Sequence, residues 1–226
     1  REVLNYALDG NPLNIHLQFS VFSGHEENWD LVLLALTDIT ARKKAEAYLE
    51  YLGKHDVLTK LKNRSFYVDE ISRLDRKGPF PVTVIIIDIN NLKTINDTQG
   101  HAAGDDLLRR AGEILGQLND KSVTAMRIGG DEFAVFMPGA DDDTRTNLLA
   151  NLDKLTDLNN QFYNGALLEL AVGWAVCQEG ERLEETIREA DRLMYEEKRK
   201  YYAMQEFGDA DASRRSTLTN SSVQQS

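Results

Sequence analysis

The sequence predicts an α+β fold in which an antiparallel-rich sheet is flanked by helices. Pro81–Asp88 is an apolar run, broken only by Thr83, that ends on a carboxylate, which is typical of a buried strand. Residues 124–128 and 133–137 have strand composition and are separated by a glycine-containing turn, which favours a β-hairpin. Segments with helical periodicity surround these strands. The resulting order of elements mixes hairpin and crossover connections, which implies a sheet with helices on one side.

The first part of the chain, residues 1–40, resembles the end of a small β-domain in its pattern. A short helix is predicted first, followed by strands over residues 14–22 and 29–36 with a polar turn between them. Residues 41–54 are rich in good helix formers and predict a linker helix. Its apolar spacing is compatible with a short coiled coil, and a solvated connecting helix explains the same spacing equally well.

The second part extends from residue 55 to residue 204 and contains the predicted sheet. Helices are predicted over residues 59–76, 92–96, 105–118, 141–160 and 183–204, and a further strand over residues 167–177. Residues 205–226 have almost no apolar content, so we expect a disordered tail there.

The composition limits the possible partners and the compartment. The 226 residues include 37 acidic and 26 basic side chains, a net charge of −11, so no basic field exists to hold nucleic acid. The single cysteine, Cys177, excludes an internal disulfide and is consistent with a reducing compartment. No apolar stretch reaches the roughly 20 residues that span a bilayer. We therefore expect a cytoplasmic chain without a membrane segment; a membrane-bound parent protein stays open, because the chain begins at Arg1.

Carboxylates and bare backbone are predicted to meet at the tip of the hairpin. Gly129 and Gly130 lack side chains there and would let a bulky anion approach the backbone. Asp131 and Glu132 follow directly, and Asp88 ends the neighbouring strand. Hard cations take oxygen ligands, and phosphates can supply the remaining ones. The pattern predicts a Mg²⁺–nucleoside triphosphate site, hence a nucleotide cyclase or polymerase. The ordinary alternatives are a strand-end acid that caps a turn and two polar hairpin residues.

Four motifs occur in a fixed order along residues 55–204. They are His55-Asp-Val-Leu-Thr-Lys-Leu-Lys-Asn-Arg64, Asp88-Ile-Asn-Asn-Leu-Lys-Thr-Ile-Asn-Asp97 with Gly100-His-Ala-Ala-Gly-Asp105, Gly129-Gly-Asp-Glu-Phe133, and Ala190-Asp-Arg-Leu-Met-Tyr195. Together they resemble the GGDEF family, the diguanylate cyclases. The resemblance implies a fold related to polymerase palms and to the class III nucleotide cyclases. It also implies that a homodimer condenses two GTP molecules, one on each protomer, into cyclic di-GMP with release of pyrophosphate.

The resemblance further implies which residues would hold metal and move a proton. Asp88, Asp131 and the backbone carbonyl of Ile89 would bind two Mg²⁺ ions per active site, with Mn²⁺ as a substitute. The two ions would polarise the attacking 3′-hydroxyl and the α-phosphate. Either Asp131 or Glu132 would accept the proton. The sequence does not show which of the two binds the metal and which acts as the base.

The remaining matched residues are implied to bind the nucleotide, together with Gly129 and Gly130. Asn96 and Asp105 would recognise the guanine edge, because an amide both donates and accepts whereas a carboxylate accepts from N1–H and the 2-amino group. Asp105 is also predicted to open a helix, where it would make a good cap. His101 would support the neighbouring turn. Lys93 would neutralise transition-state charge, with a solvated surface lysine as the alternative. Lys198 would contact the triphosphate.

Several positions depart from the family pattern. Asn90 stands where an aspartate is common, and Leu92 where a phenylalanine is usual. After Lys198 the family usually has Gly-Arg-Asn, and Tyr202 takes the place of that arginine, so we expect altered triphosphate contacts unless Arg199 or Lys200 compensates. A product-inhibition motif, Arg-x-x-Asp, is replaced by Asp120-Lys-Ser-Val123, so feedback at that site should be absent.

The junction Asp38-Ile-Thr40 with Arg42-Lys43 resembles the boundary between a PAS sensor domain and its output helix. The resemblance implies a C-terminal part of a PAS domain over residues 1–40, a signalling helix over 41–54 and a GGDEF domain over 55–204. We expect a diguanylate cyclase regulated by the PAS sensor. The alternative is a catalytically weak GGDEF module that binds GTP and acts as a regulatory signalling domain.

Overall fold

In the computed structural model the chain divides into two compact units, Arg1–Gly53 and Lys54–Ser226. The structure describes the backbone of residues 2–6, 10–163 and 165–223, and the side chains of residues 3, 6, 10–163 and 165–204. In this described part, every helix is too short or too polar to cross a lipid bilayer.

The first unit contains a three-stranded antiparallel sheet and one helix. Strands β1 (Glu2–Tyr6), β2 (Pro12–Val21) and β3 (Val32–Asp38) lie in the order β1-β2-β3, and helix α1 covers Thr40–Lys54. The prediction of a short helix before the strands is wrong, because Glu2–Tyr6 pairs with Pro12–His16 as an antiparallel ladder. Pairing with a neighbouring strand has overridden local helix preference. The PAS assignment of this unit stays a prediction.

The second unit is an α+β domain built on a four-stranded sheet. Its strands are β4 (Val82–Ile89), β5 (Thr124–Arg127), β6 (Glu132–Pro138) and β7 (Leu170–Cys177), in the order β5-β6-β4-β7. All three strand pairs are antiparallel. The helices are α2 (Arg64–Lys77), α3 (Leu92–Gln99), α4 (His101–Leu118), α5 (Asp142–Phe162) and α6 (Leu183–Val223). The predicted α+β class with an antiparallel-rich sheet is confirmed.

Helices cover both faces of this sheet, so the prediction of helices on one side is wrong. Ile85 and Ile87 pack in a core with residues of α3, α4 and α5. Val84 and Ile86 point to the opposite face and pack with residues of α2 and α6. Every residue of β4 is buried. A strand buried on both faces is apolar throughout rather than alternating, and the continuous run before Asp88 already carried that signal.

Three helix boundaries differ most from the predictions. Helix α2 begins at Arg64 rather than residue 59, because the Asn63 side chain accepts the backbone N–H of Phe66 as an N-cap. Helix α4 begins at His101 rather than residue 105. Helix α6 continues to Val223, so the prediction of a disordered tail over residues 205–226 is wrong for residues 205–223, and residues 224–226 lie outside the described part of the chain.

Candidate active site

Two paired strands bring the acidic residues of the second unit to one edge of the sheet. Asp88, at the end of β4, lies directly opposite Glu132 at the start of β6. The backbone N–H of Ile89 donates to the carbonyl of Asp131 over 3.2 Å. The turn between β5 and β6 is closed by the N–H groups of Ile128 and Gly129, which both donate to the carbonyl of Glu132. The structure therefore brings Asp88 and the hairpin acids together, as the sequence predicted.

The missing side chains of the two hairpin glycines have different consequences. A β-carbon on Gly129 would lie 2.4 Å from Oε2 of Glu132, so the missing side chain makes room for that carboxylate. A β-carbon on Gly130 would meet nothing within 4 Å, so its exposed backbone is open to a ligand. Only the second use had been expected from the sequence.

An arginine that the sequence argument missed holds this hairpin in place. Arg127 donates from Nη2 to the carbonyl of Gly130 over 2.8 Å and from Nη1 to the Asp56 carboxylate over 3.1 Å. Burial opposes ionisation of Asp56, but hydrogen bonds from Thr59 and Arg127 outweigh it and lower the Asp56 pKa. The Arg127–Asp56 pair thus ties the hairpin to the first motif of the domain. Asp56 lies within the first motif and Arg127 lies two residues before Gly129, but only their contact reveals the link.

Lys198 reaches the acidic edge from helix α6. Its Nζ lies 2.7 Å from Oδ1 of Asp88, whose side chain is only 6% exposed. Helix α6 can come this close because Gly173 of β7 has no β-carbon, which would lie 2.1 Å from the backbone nitrogen of Met194. Burial, with the charges of Asp131 and Glu132, raises the pKa of Asp88 despite the Lys198 hydrogen bond. Burial acts against the Lys198 charge, but its bond to Asp88 leaves the Lys198 pKa raised.

The donor set at this edge fits a hard divalent cation that is held jointly with a substrate. Asp88 is a buried carboxyl whose pKa the neighbouring acids raise, so a bound cation would relieve that repulsion. Carboxylate and carbonyl oxygens are the ligands that Mg²⁺ prefers. Within the described residues, no three His, Cys, Asp or Glu side chains are arranged to hold a metal by themselves. The predicted set of Asp88, Asp131 and the Ile89 carbonyl would need phosphate oxygens to complete it.

The two predicted guanine readers are Asn96, which lies on α3, and Asp105, which lies on α4. The half-buried Asn96 amide packs against Gly104, where a β-carbon would lie 2.1 Å from its Oδ1. Asp105 follows Gly104 and has a side chain that is 49% exposed, with an oxygen 3.8 Å from Arg109. The capping alternative for Asp105 is wrong, because Gly100 is the N-cap of α4 and Asp105 lies inside the helix.

The other predicted nucleotide contacts lie at the ends of α3 and α4. Lys93 is exposed in the first turn of α3, and His101 is exposed at the first position of α4. These positions leave the roles of both residues as predictions. The exposed position of Lys93 is also what the solvated-lysine alternative expects.

Two tyrosines of α6 contact the loop between β4 and α3. Tyr202 accepts the backbone N–H of Asn91 over 3.3 Å, and Tyr201 accepts a hydrogen bond from the Asn91 side chain over 2.8 Å. The Tyr201 hydroxyl donates to the carboxylate of Glu169. The sequence pattern marks Tyr202 only as a departure from the usual arginine, and it gives no sign of the contacts of Tyr201, Asn91 and Glu169. Asn91 and Tyr201 are 110 positions apart along the chain, so no local signal predicts their contact.

The whole of this second unit, apart from the end of α6, corresponds to a known family. Residues 53–202 match the family described as diguanylate cyclase, GGDEF domain. The chain belongs to the GGDEF family. The four motifs that resembled this family lie within the matched residues, so the assignment made from the sequence is confirmed.

The curated relatives that this chain matches are longer than the chain itself. The diguanylate cyclase DosC of Escherichia coli K12 is 34% identical over 153 residues, which cover 64% of this chain and 33% of DosC. An uncharacterised protein of Sinorhizobium fredii, y4lL, is 34% identical over 168 residues, which cover 68% of this chain and 20% of that protein. The chain therefore spans between a fifth and a third of the length of these relatives.

Solved GGDEF structures share the fold. The GGDEF domain of YfiN from Pseudomonas aeruginosa is 31% identical, with a TM-score of 0.54 over 65% of this chain and 89% of that chain. The coiled coil and GGDEF domain of DgcB from Caulobacter crescentus, solved in complex with c-di-GMP, gives a TM-score of 0.61 over 71% of this chain and 88% of that chain. DgcB is only 22% identical, so it supports the fold alone.

Proposed function

We propose that this chain is a diguanylate cyclase that condenses two GTP molecules into cyclic di-GMP. In each of two steps, the 3′-hydroxyl oxygen of one GTP forms a bond to the α-phosphorus of the other. The bond from that phosphorus to the bridging oxygen breaks, and pyrophosphate leaves with its electron pair. The observation that carries the proposal is the meeting of Asp88 with the Gly129–Glu132 hairpin across paired strands, in a chain of the GGDEF family.

Asp88, Asp131 and the Ile89 carbonyl would hold two Mg²⁺ ions in each active site. Mn²⁺ could replace Mg²⁺ there. When bound, these ions would polarise the 3′-hydroxyl and stabilise charge on the α-phosphate. Asp131 or Glu132 would accept the hydroxyl proton. The exposed backbone at Gly130 would let the triphosphate approach.

One residue of α3 and one residue of α4 would select the substrate. Asn96 and Asp105 together would present an amide and a carboxylate to the guanine edge, and adenine offers no donors there to satisfy the carboxylate. Lys198 is held at the acidic edge by Asp88 and would contact the triphosphate. Lys93 would neutralise transition-state charge, and His101 would support the turn.

Since one site would hold one GTP, the reaction would require a homodimer whose two sites face each other. Helix α1 supports such pairing, because Tyr48 and Leu49 are 60% and 66% exposed on it. The three-stranded sheet that precedes α1 would be the end of a PAS sensor and would regulate the dimer from its N-terminal side. We expect the enzyme to work in the cytoplasm.

Incubation of the protein with GTP and Mg²⁺, followed by chromatography of the products, tests this function. We expect cyclic di-GMP and pyrophosphate. Glu132→Gln should abolish turnover with an unchanged circular dichroism spectrum, because the amide cannot accept a proton or support metal charge in the same way. Full activity of Glu132→Gln would contradict its assigned role.

A regulatory module that binds GTP without turning it over is the second candidate. The observation that favours it is Tyr202, which takes the place of the usual phosphate-contacting arginine and hydrogen-bonds to Asn91 instead. GTP that binds measurably and is recovered unchanged from the same incubation would select this candidate over the cyclase.

A further inference from the structure

The tyrosine pair at residues 201 and 202 forms a hydrogen-bonded clamp on the loop that begins α3. Asn91 donates from its side chain to Tyr201 and from its backbone to Tyr202. The Tyr201 hydroxyl donates a hydrogen bond to the carboxylate of Glu169. Glu169 also accepts the backbone N–H of Asn90 at its carbonyl, over 2.8 Å. Two consecutive residues of the loop are therefore held from α6 and from the segment before β7.

The directions of these hydrogen bonds are determined by the chemistry of the groups. The Asn91 amide nitrogen can only donate, and the Glu169 carboxylate can only accept when ionised. The Tyr201 hydroxyl must therefore accept from the first and donate to the second. Burial and the adjacent Glu169 raise the Tyr201 pKa, so the hydroxyl keeps its proton. The two tyrosine rings pack edge to face, with centroids 5.4 Å apart.

The clamped loop needs such support because of its backbone. Asn91 is left-handed, with φ 60° and ψ 10°, a conformation that only glycine adopts freely and that asparagine tolerates better than most other residues. The loop is also short: it connects Asp88 and Ile89 on one side to Lys93 and Asn96 on the other. A change in the conformation of Asn91 would therefore alter the position of the acidic edge relative to the guanine readers.

We propose that Tyr201 and Tyr202 are positioning residues that set this loop for nucleotide binding. In this proposal Tyr202 takes the place of a phosphate-binding arginine by ordering the backbone at the start of α3 instead of contacting the phosphate. The proposal rests on the proposed function, since it concerns the same GTP site. It also explains how the chain could tolerate the loss of the arginine. The two phenol groups order the loop before the nucleotide binds, so less conformational entropy is lost on binding.

The test measures binding of α,β-methylene GTP with Mg²⁺ by calorimetry, because this analogue cannot release pyrophosphate and needs no turnover. Tyr201→Phe removes one accepted and one donated hydrogen bond, so we expect about tenfold weaker binding. Tyr202→Phe removes one longer bond to a backbone N–H that water can reach, so we expect about threefold weaker binding. Tyr195→Phe is the matched control, because Tyr195 is 60% exposed on the same helix, and it should bind as the wild type does.

Steady-state kinetics separate positioning from general stabilisation. We expect KM for GTP to rise by the same factors in Tyr201→Phe and Tyr202→Phe, with kcat within about twofold of wild type, because the clamp acts before the chemical step. Lower melting temperatures with unchanged affinity for the analogue would overturn the proposal. So would a fall in kcat alone.

A double-mutant cycle with Asn91→Gly tests the route of the effect. Glycine accepts the left-handed conformation of residue 91, and it removes the Asn91 side chain while keeping the backbone N–H that donates to Tyr202. If the Tyr201 hydroxyl acts through Asn91, Tyr201→Phe should weaken binding less than twofold in the Asn91→Gly background. A full tenfold loss there would overturn the proposal. Wild-type protein that yields no cyclic di-GMP would contradict the proposed cyclase, whereas equal analogue affinity in wild type and Tyr201→Phe would contradict the clamp.

Discussion

Replacing Gly104 with alanine should separate the stability of α4 from the placement of the Asn96 amide. Gly104 lies inside α4, and the β-carbon of an alanine there would lie 2.1 Å from Oδ1 and 2.8 Å from Cγ of Asn96. The three nearest atoms all belong to that one side chain. Asn96 can rotate away, so the substitution displaces the amide while leaving the helices in contact.

The substitution is expected to keep or raise the stability of the protein and to lower its catalytic efficiency. Alanine in a helix interior is more favourable than glycine by about 0.5–1 kcal/mol, so the melting temperature should stay unchanged or rise by about 2–4 °C. The amide oxygen must move by about 1 Å or more to restore ordinary contact, and a misplacement of that size can lower the rate about 10²-fold. We therefore expect kcat/KM for GTP to fall by between about 10- and 100-fold in a protein that is as stable as wild type.

Two other glycines of α4 serve as controls in the same assay. A β-carbon on Gly116 would meet only Leu61 at 3.8 Å, so Gly116→Ala should stabilise the helix and leave kcat/KM unchanged. A β-carbon on Gly112 would lie 2.8 Å from the backbone oxygen of Thr59, so Gly112→Ala should lower the melting temperature. Calorimetry gives stability, and product formation at varied GTP gives kcat/KM. Wild-type kinetics in Gly104→Ala would refute the assignment of Asn96 as a guanine reader.

Two further substitutions test contacts that hold the domain together. Asp56→Asn should lower the free energy of unfolding at pH 7 by about 1–3 kcal/mol, because the ionised carboxylate accepts bonds from Thr59 and Arg127. Since the folded-state pKa of Asp56 is lowered, this stability is present above the ordinary aspartate pKa of 3.8 and is lost as the pH falls through the folded-state pKa. Denaturant unfolding at pH 7 and pH 3 should show the difference from wild type shrinking in acid, and a constant difference would contradict this cause. Arg110→Lys should lower the free energy of unfolding by about 3 kcal/mol, because the guanidinium is buried and donates to three acceptors that one ammonium group cannot reach together. Arg109→Lys, whose side chain is half exposed, should stay within about 0.5 kcal/mol of wild type, and equal losses in the two variants would count against the geometric argument.

Local patterns were sufficient for most elements of the second unit and for the acidic edge of the site. A continuous apolar run ending at Asp88 and a glycine hairpin before Glu132 specify two buried strands, and antiparallel pairing of such strands brings their ends together. The helix boundaries were less well determined. The N-cap bond of Asn63 and the early start of α4 at His101 depend on geometry that apolar periodicity does not encode.

Contacts between distant segments could not be predicted from the sequence. Periodicity shows that a strand is buried, but it does not show which helices cover each face, so the helices on the second face of β4 were missed. The Arg127–Asp56 bridge and the Tyr201–Asn91 bond join residues that are 71 and 110 positions apart. No short-range preference distinguishes these partners from any other arginine or tyrosine of the chain.

The sequence by itself determined the family, the class of fold and the identity of the acids at the strand ends, because each depends on neighbouring residues or on motif order. Only the tertiary structure decided that Lys198 lies on Asp88, that Gly104 makes room for Asn96, and that two tyrosines hold the loop at Asn91. These contacts arise when α6 packs closely on β7 and α4 packs on α3. Packing depends on the shape of whole surfaces, and that information is distributed over the chain.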